Sequence, residues 1–354
     1  MNTILLSAIE THTSGEPFRI VTNGLPKRIP GKTLLEKRKY IEKHYDFLRN
    51  AIMREPRGHY DMFGGYLLDS TDPKLDSDAS IIFMNPAGYT DQCGHGMIAV
   101  TTALVQNGWI DQSKYKLKPE LMRVRLETTV GIVDTYACWN GTKVEFVRFD
   151  NTPVFILYED ISVETSVGRL TGDIVFNGAF NYFVEVNEST LALYPENAKA
   201  IKELGYEIKT EIQKRSDLQI FNKDYPQIRG LHGVDFINVK EKKDMSDENV
   251  PNQKSCLVLG VKQVDRSPCG SGTAGRTALL YLKGRLELHN RFVNQSLIGG
   301  VFRASIKEID LKANKGERDA VIVSIEGTAH IMGTSTWSID LQDTIGLNGF
   351  IVSH

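Results

Sequence analysis

The chain has 354 residues, 41% hydrophobic and 24% charged, with 42 basic and 44 acidic side chains and a formal net charge of -2. That length exceeds one comfortable core and suits two lobes, while near-balanced, interspersed charge argues against nucleic acid or a membrane surface as partner. Four cysteines in so long a chain do not make a disulfide framework, so a reducing, cytoplasmic setting is expected and each cysteine needs its own explanation.

No apolar run approaches the ~18 residues of a membrane span. Met1 to Glu10 lacks a basic n-region and reads as a first strand rather than a signal peptide. Thr33-Leu-Leu-Glu36 is a capping box. Behind it Leu34, Ile41, Tyr45, Leu48 and Ile52 recur on one face and predict an amphipathic helix. Ser80 to Met84 reads as a short buried strand, with a turn at Asn85-Pro-Ala-Gly88. Val124 to Val133, Val144 to Val147, Val154 to Tyr158 and Tyr182 to Val186 are strand candidates. A second helix is expected from Pro195 to Arg215, then strands at Gly233 to Val239, Ser255 to Gly260 and Ala320 to Glu326. No low-complexity linker separates lobes. The expected division is 1–135 plus 335–354 for one lobe and 136–334 for the other.

An internal repeat carries the chemistry. Cys93-Gly-His-Gly96 opens one helix-like segment and Cys269-Gly-Ser-Gly272 opens another; the two also agree at Thr101 and Thr277, Leu104 and Leu280, and Gly108 and Gly284. The last pair falls where a helix C-cap belongs. A strand, a turn, Cys-Gly-x-Gly, a helix and a glycine therefore occur twice, which suggests two lobes of similar build. At a helix N-terminus the first N–H groups lack partners and the macrodipole is positive. A thiolate is favoured there, so each cysteine is expected below its ordinary pKa of ~8.5. Two such ends facing each other would hold a carboxylate between amide clusters and place one sulfur on either side of an α-carbon. That is what two-base racemisation needs, one thiolate removing the α-proton and the opposite thiol returning one.

Other readings of the same residues are structural cysteines, a disulfide formed on oxidation, a zinc site using Cys93 and His95, and a dinucleotide fingerprint in Gly270-Ser-Gly-Thr-Ala-Gly275. The zinc reading lacks a second ligand cluster. The fingerprint is spoiled by Asp265-Arg-Ser-Pro-Cys269, which intervenes between strand and glycines. Cys138 and Cys256 lie in strand-like stretches and read as structural.

Cys93-Gly-His-Gly96 and Asp265-Arg-Ser-Pro-Cys-Gly-Ser-Gly-Thr273, with Glu10-Thr-His-Thr-Ser-Gly-Glu16 and Glu55-Pro-Arg-Gly-His-Tyr-Asp-Met-Phe-Gly64, resemble the proline racemase family over nearly the whole chain. The resemblance implies an α/β (α+β) fold of two pseudo-symmetric lobes, each a curved sheet or barrel around a central helix, as in diaminopimelate epimerase. It implies an active site in the interlobe cleft, no cofactor, no metal and a homodimer. Cys93 and Cys269 would be the catalytic thiols. Gly94, His95, Gly270 and Ser271 would bind the substrate carboxylate, Asp265 and His95 would contact the amine or orient the thiols, and Phe63 would line the ring pocket.

Three activities share the scaffold: proline racemase, 4-hydroxyproline 2-epimerase and trans-3-hydroxy-L-proline dehydratase. A dehydratase needs a base at the α-proton but no proton return on the other face, so two thiols argue against it. Phe63 in Asp-Met-Phe-Gly favours unsubstituted proline, interconverted between L and D forms. A reading of another class is a non-catalytic protein that binds cyclic amino acids. Outside the motifs' core, His12 and Glu16 read as strand-end hydrogen-bonding groups, while Arg57 and His59 read as support behind the site.

Overall fold

A computed structural model describes residues 3–110, 121–240, 250–288, 290–313 and 318–352. Its strands and helices run β1 (Thr3–Thr13), β2 (Glu16–Asn23), α1 (Leu34–Met53), β3 (Phe63–Leu68), β4 (Ala79–Asn85), β5 (Gly88–Thr90), α2 (Gly94–Gln106), β6 (Met122–Thr128), β7 (Gly131–Trp139) and β8 (Val144–Asp150). They continue β9 (Phe155–Thr165), β10 (Gly168–Phe176), β11 (Phe180–Glu185), α3 (Ala198–Gln213), β12 (Gly233–Val239), β13 (Gln253–Leu259), β14 (Gln263–Val264) and α4 (Gly270–Leu282). The last are β15 (Phe292–Gln295), β16 (Val301–Ala313), β17 (Arg318–Gly327), β18 (Ala329–Asp340) and α5 (Thr344–Asn348). The stretch from Val124 to Val133, expected as one strand, is broken by the turn at Thr128–Gly131 and belongs to both β6 and β7.

The chain forms two compact units, one of residues up to Phe149 with those from Gly327 onward, the other Asp150–Glu326. Each follows the same topology. In the first unit β1 pairs antiparallel with β2, and α1 connects β2 to its parallel neighbour β3. β3 pairs antiparallel with β4 and β4 with β5; α2 then leads to β6, parallel to β4, and on into the meander β6–β7–β8. In the second unit β10, β11, α3, β12, β13, β14, α4, β15, β16 and β17 repeat those pairings in that order. The flanking strand is β9 beside β10 in one unit and β18 beside β1 in the other. The end of the chain thus completes the unit that its start began.

That exchange moves the division from 135/136 and 334/335 to 149/150 and 326/327. The β7–β8 hairpin stays with the first unit because it ends that unit's meander. β18 joins the first unit along its length, from Thr13↔Ala329 to Thr3↔Asp340.

The outer helices form as their patterning predicts. Thr33 caps α1, its hydroxyl accepting from Glu36 N–H at 3.2 Å, and Glu36 Oε2 accepts from Lys32 N–H at 2.6 Å. Leu34, Ile41, Leu48 and Ile52 are buried together with Leu6, Ile82 and Ile339, while Tyr45 is half-buried. Ile201, Leu204, Ile208 and Ile212 of α3 pack with Phe155, Phe176, Phe180 and Phe236. Leu48 is fully buried, so Leu48→Ala should cost about 2–5 kcal/mol of stability, read as a lower urea midpoint at unchanged m-value. A loss under about 0.5 kcal/mol, the scale of an exposed substitution, would contradict this packing.

The inner helices α2 and α4 are of another kind. Each has 13 residues, and almost all of each is buried, His95 to Val105 in α2 and Gly272 to Leu280 in α4. A helix apolar on all sides belongs inside a domain. Both end in a left-handed glycine, Gly108 at φ +66° and Gly284 at φ +69°. There Trp109 N–H donates to Leu104 O and Arg285 N–H to Leu280 O, at 3.0 and 2.7 Å. The repeat therefore builds, in each unit, a central helix closed by the same C-terminal turn and begun by a cysteine. Among the described residues no helix is long and apolar enough to cross a membrane.

Candidate active site

In the first unit the chain leaves β5 and enters α2 through Cys93, whose extended backbone (φ -154°, ψ 100°) makes it the N-cap residue. Cys93 is buried, and its Sγ lies 3.6 Å from both ring nitrogens of His95. The His95 ring is held between two phenyl edges, Phe18 at 5.8 Å and Phe63 at 4.9 Å between centroids, each close to perpendicular. Its backbone carbonyl accepts from Thr13 Oγ1 at 2.8 Å. Gly96 has no alternative. A Cβ there would lie 2.5 Å from Phe18 Cε2 and 3.0 Å from Cys93 Sγ. Cys93, Gly94, His95 and Phe63 thus lie together, the His95 ring between the Cys93 sulfur and the Phe63 ring.

In the second unit the helix entry is built by a short hydrogen-bond chain. Asp265 Oδ1 accepts from Ser267 N–H at 2.8 Å and from its hydroxyl at 2.7 Å. Ser267 Oγ in turn accepts from Cys269 N–H at 3.1 Å. Asn294 Nδ2 donates to Pro268 O and to Thr273 Oγ1, fixing the turn from below. These contacts hold Cys269 at φ +57°, ψ 120°, a conformation costing a side-chain-bearing residue about 1–3 kcal/mol. Cys269 Sγ accepts from Gly272 N–H at 3.2 Å and lies 3.4 Å from Ser271 Oγ. Asp265, Cys269, Gly270 and Ser271 are gathered in this one turn. Of the two roles expected for Asp265, the hydrogen bonds bear on the second: through Ser267 it shapes the turn that carries Cys269.

The electrostatics correct one expectation. Burial pushes the Cys269 thiol well above its ordinary value, and the carboxyl groups of Asp265 and Asp235 push it further. Ser271 and the Gly272 N–H act in the other direction and do not prevail. The helix N-terminus is therefore outweighed here, because desolvation and two nearby acids penalise the same negative charge. Burial and the two acids therefore favour the thiol form of Cys269 over the thiolate.

Asp235 was missed by the sequence analysis. It sits in the middle of β12, fully surrounded, with a burial-raised pKa of about 8. The available signal was an acid inside the apolar strand Gly233-Val-Asp-Phe-Ile237. Phe18 and Thr13 were missed too, since nothing local marks a strand residue as a wall for a distant helix. His12 has the strand-end role expected of it, Nδ1 accepting from Gly15 N–H at 3.2 Å. Arg57 donates to Gly346 O at 2.7 Å and Ser338 O at 3.2 Å, tying down the C-terminal segment. Cys256 is buried in β13 and its thiol is pushed up by desolvation; Cys138 lies in β7, 3.8 Å from Glu145 Oε2. Among the described residues no group of three or more His, Cys, Asp or Glu could hold a metal ion.

Known proteins resemble this chain over nearly its whole length. The family profile described as proline racemase matches residues 8–350. The chain is 38% identical to a trans-3-hydroxy-L-proline dehydratase of Burkholderia cenocepacia and 37% identical to a 3-hydroxyproline 2-epimerase of Burkholderia multivorans, over 98% of each chain in both cases. It is 34% identical to a proline racemase of Acetoanaerobium sticklandii over 96% of each. Two crystal structures cover 98% of this chain and 96% of theirs at 27% identity. They are a probable proline racemase of Agrobacterium radiobacter with bound carbonate, TM-score 0.80, and a hydroxyproline epimerase of Agrobacterium vitis with bound trans-4-hydroxy-L-proline, TM-score 0.79.

Proposed function

The chain belongs to the proline racemase family, and from that premise we propose that it inverts the α-carbon of a proline-ring amino acid with Cys93 and Cys269 as its two acid–base groups. The observation that carries this reading is the repeat in three dimensions: two units of one topology, each starting its central helix at a buried cysteine. The reading requires that both helix ends reach one substrate. The substrate carboxylate is held by first-turn N–H groups around Gly94, His95, Gly270 and Ser271. One sulfur, as thiolate, takes the α-proton, and the C–H bonding pair becomes part of a planar carbanion delocalised into the carboxylate. The other sulfur, as thiol, delivers its own proton to the opposite face. The products are the inverted amino acid and an enzyme with the proton on the first sulfur, ready for the reverse direction. No step calls for a metal or an organic cofactor.

The ring is the finer question. Phe63, standing edge-on to His95, offers an apolar wall, which is the basis for unsubstituted proline. The relatives at 37% and 38% named for 3-hydroxyproline, against 34% for the proline racemase, move 3-hydroxyproline to first place. Inversion at its α-carbon turns a trans-3-hydroxy-L acid into a cis-3-hydroxy-D acid. Dehydration of the same compound is the second reading. It is favoured by the 38% relative's name and disfavoured by the second cysteine, since elimination needs no proton return.

Incubation in D2O with L-proline, trans-3-hydroxy-L-proline and trans-4-hydroxy-L-proline separates these. Inversion leaves deuterium at the α-carbon of the opposite isomer; elimination consumes the 3-hydroxy compound without forming that isomer. We expect inversion of trans-3-hydroxy-L-proline, with slower turnover of L-proline. No α-deuterium in any of the three and no consumption of the 3-hydroxy compound, with ligand binding intact, would leave only a binding protein.

A further inference from the structure

The two units match in topology but not in charge. Phe83 lies four residues beyond Ala79, which bridges to Leu126, and Leu257 lies four beyond Gln253, which bridges to Asn294. Across from Phe83 stands Gly65; across from Leu257 stands Asp235. Where the first unit has no side chain, the second has a carboxyl group.

That carboxyl lies under the first turn of α4. A Cβ on Gly272 would sit 2.5 Å from Asp235 Oδ2, so the second glycine of Cys-Gly-Ser-Gly is required to make room for it. Asp235 is 1% exposed, and among the described residues its Oδ1 has no hydrogen-bond partner. An ionised carboxylate left that way is strongly disfavoured, a protonated one much less so. The groups around it are Cys256 on β13, Asp265 beyond β14, and Cys269 and Arg276 on α4. Arg276 is largely engaged elsewhere, donating to Gln253 Oε1 at 3.0 Å and Glu185 Oε1 at 2.5 Å. Asp265 opposes a second negative charge in the cluster.

We infer that Asp235 is a positioning residue for Cys269, a buried acid beneath the helix entry whose own ionisation and that of the sulfur oppose each other, which makes the two thiols inequivalent. The inference rests on Cys269 being a reacting thiol, as proposed above. It gives the free enzyme a preferred form, with Cys269 as the donor in the first encounter. A substrate bringing a cationic amine into the cluster offsets the acids and lets Cys269 serve as base in the other direction.

The test reads chemistry at Cys269 without turnover. The ligand-free, full-length protein is alkylated with iodoacetamide from pH 6 to 10, and modification at Cys269 is followed by peptide mass mapping. In the wild type the midpoint should lie above the ~8.5 of a free cysteine; a midpoint at or below that value overturns the inference with no variant needed. Asp235→Asn should move the midpoint down by a unit or more, about tenfold faster labelling at pH 8. Asp235→Ser, also neutral, should do the same and stands in should the asparagine fail to fold. Asp235→Glu, which keeps the acid, should stay near wild type. Superimposable curves for wild type and a folded neutral variant overturn the inference. The readout is independent of the D2O panel, so absence of racemisation would sink the proposed reaction while leaving this measurement to stand or fall by itself.

Discussion

Serine in place of Cys93 or of Cys269 should lower α-inversion by roughly 10²–10⁴-fold, the scale of a lost acid–base group. A hydroxyl is a far poorer proton donor and base near neutral pH than a thiol. Both positions are buried N-cap sites, and serine is itself a good N-cap residue, so the fold should survive and ligand binding should remain measurable. The two variants should also differ from each other in a way that general damage would not produce. Each retains one thiol and so can exchange the α-proton of one enantiomer with solvent without inverting it. The enantiomer whose proton washes out with Cys93→Ser should be the one that stays unexchanged with Cys269→Ser. Wild-type inversion in both variants, or washout of the same enantiomer in both, would remove the two-thiol mechanism.

Part of the fold and of the candidate site is legible in the sequence alone. The helix periodicity from Leu34 to Ile52 was clear because burial on one face leaves a spacing that composition cannot hide. The repeat around Cys93 and Cys269 was clear because helix entry, close approach and C-terminal turn each demand a particular residue, and the demands recur at equal intervals. Other features left no such trace. Neighbouring strands set the unit boundaries, and the pairing of β18 with β1 joins residues at opposite ends of the chain, a relation local pattern does not encode. One wall around His95 comes from β2, where Phe18 reads like any strand residue; the other, Phe63 of β3, is marked only by the family motif that contains it. The state of Cys269 misled for a deeper reason. The helix N-terminus is written in the sequence next to the cysteine, whereas the burial that chiefly outweighs it, and the closeness of the Asp265 and Asp235 carboxyls, arrive only with the fold.

Asp265 joins these two levels, and its variants should separate them. As an acceptor it binds the N–H and hydroxyl of Ser267 and so fixes the turn that holds Cys269 at positive φ. As a buried acid it repels charge on Asp235 and on the Cys269 sulfur. Asp265→Asn keeps an acceptor oxygen and removes the charge. Asp265→Ala removes both and strands two buried donors, at about 1–3 kcal/mol each. The alanine variant should therefore melt well below the asparagine variant and lose nearly all inversion, because the sulfur is no longer aimed. The asparagine variant should keep most of its stability, and its Cys269 should be alkylated at lower pH than in the wild type. The sign with pH follows from the direction of the shifts. Burial raises the folded pKa of both Asp265 and Asp235, the latter to about 8, so the folded state holds these protons when the unfolded chain has released them. The contribution of these two groups to stability should be fullest below the unfolded carboxylate range near pH 4. It should fall as pH rises through the folded values, by at most about 1.4 kcal/mol per pH unit for each proton. Either Asp265 variant should flatten that fall, and only alanine should also lower stability at pH 5, where the charge matters less. Equal melting temperatures for the two variants at pH 5 and pH 8, with Cys269 alkylation profiles that match the wild type, would mean that Asp265 neither builds the turn nor controls the sulfur.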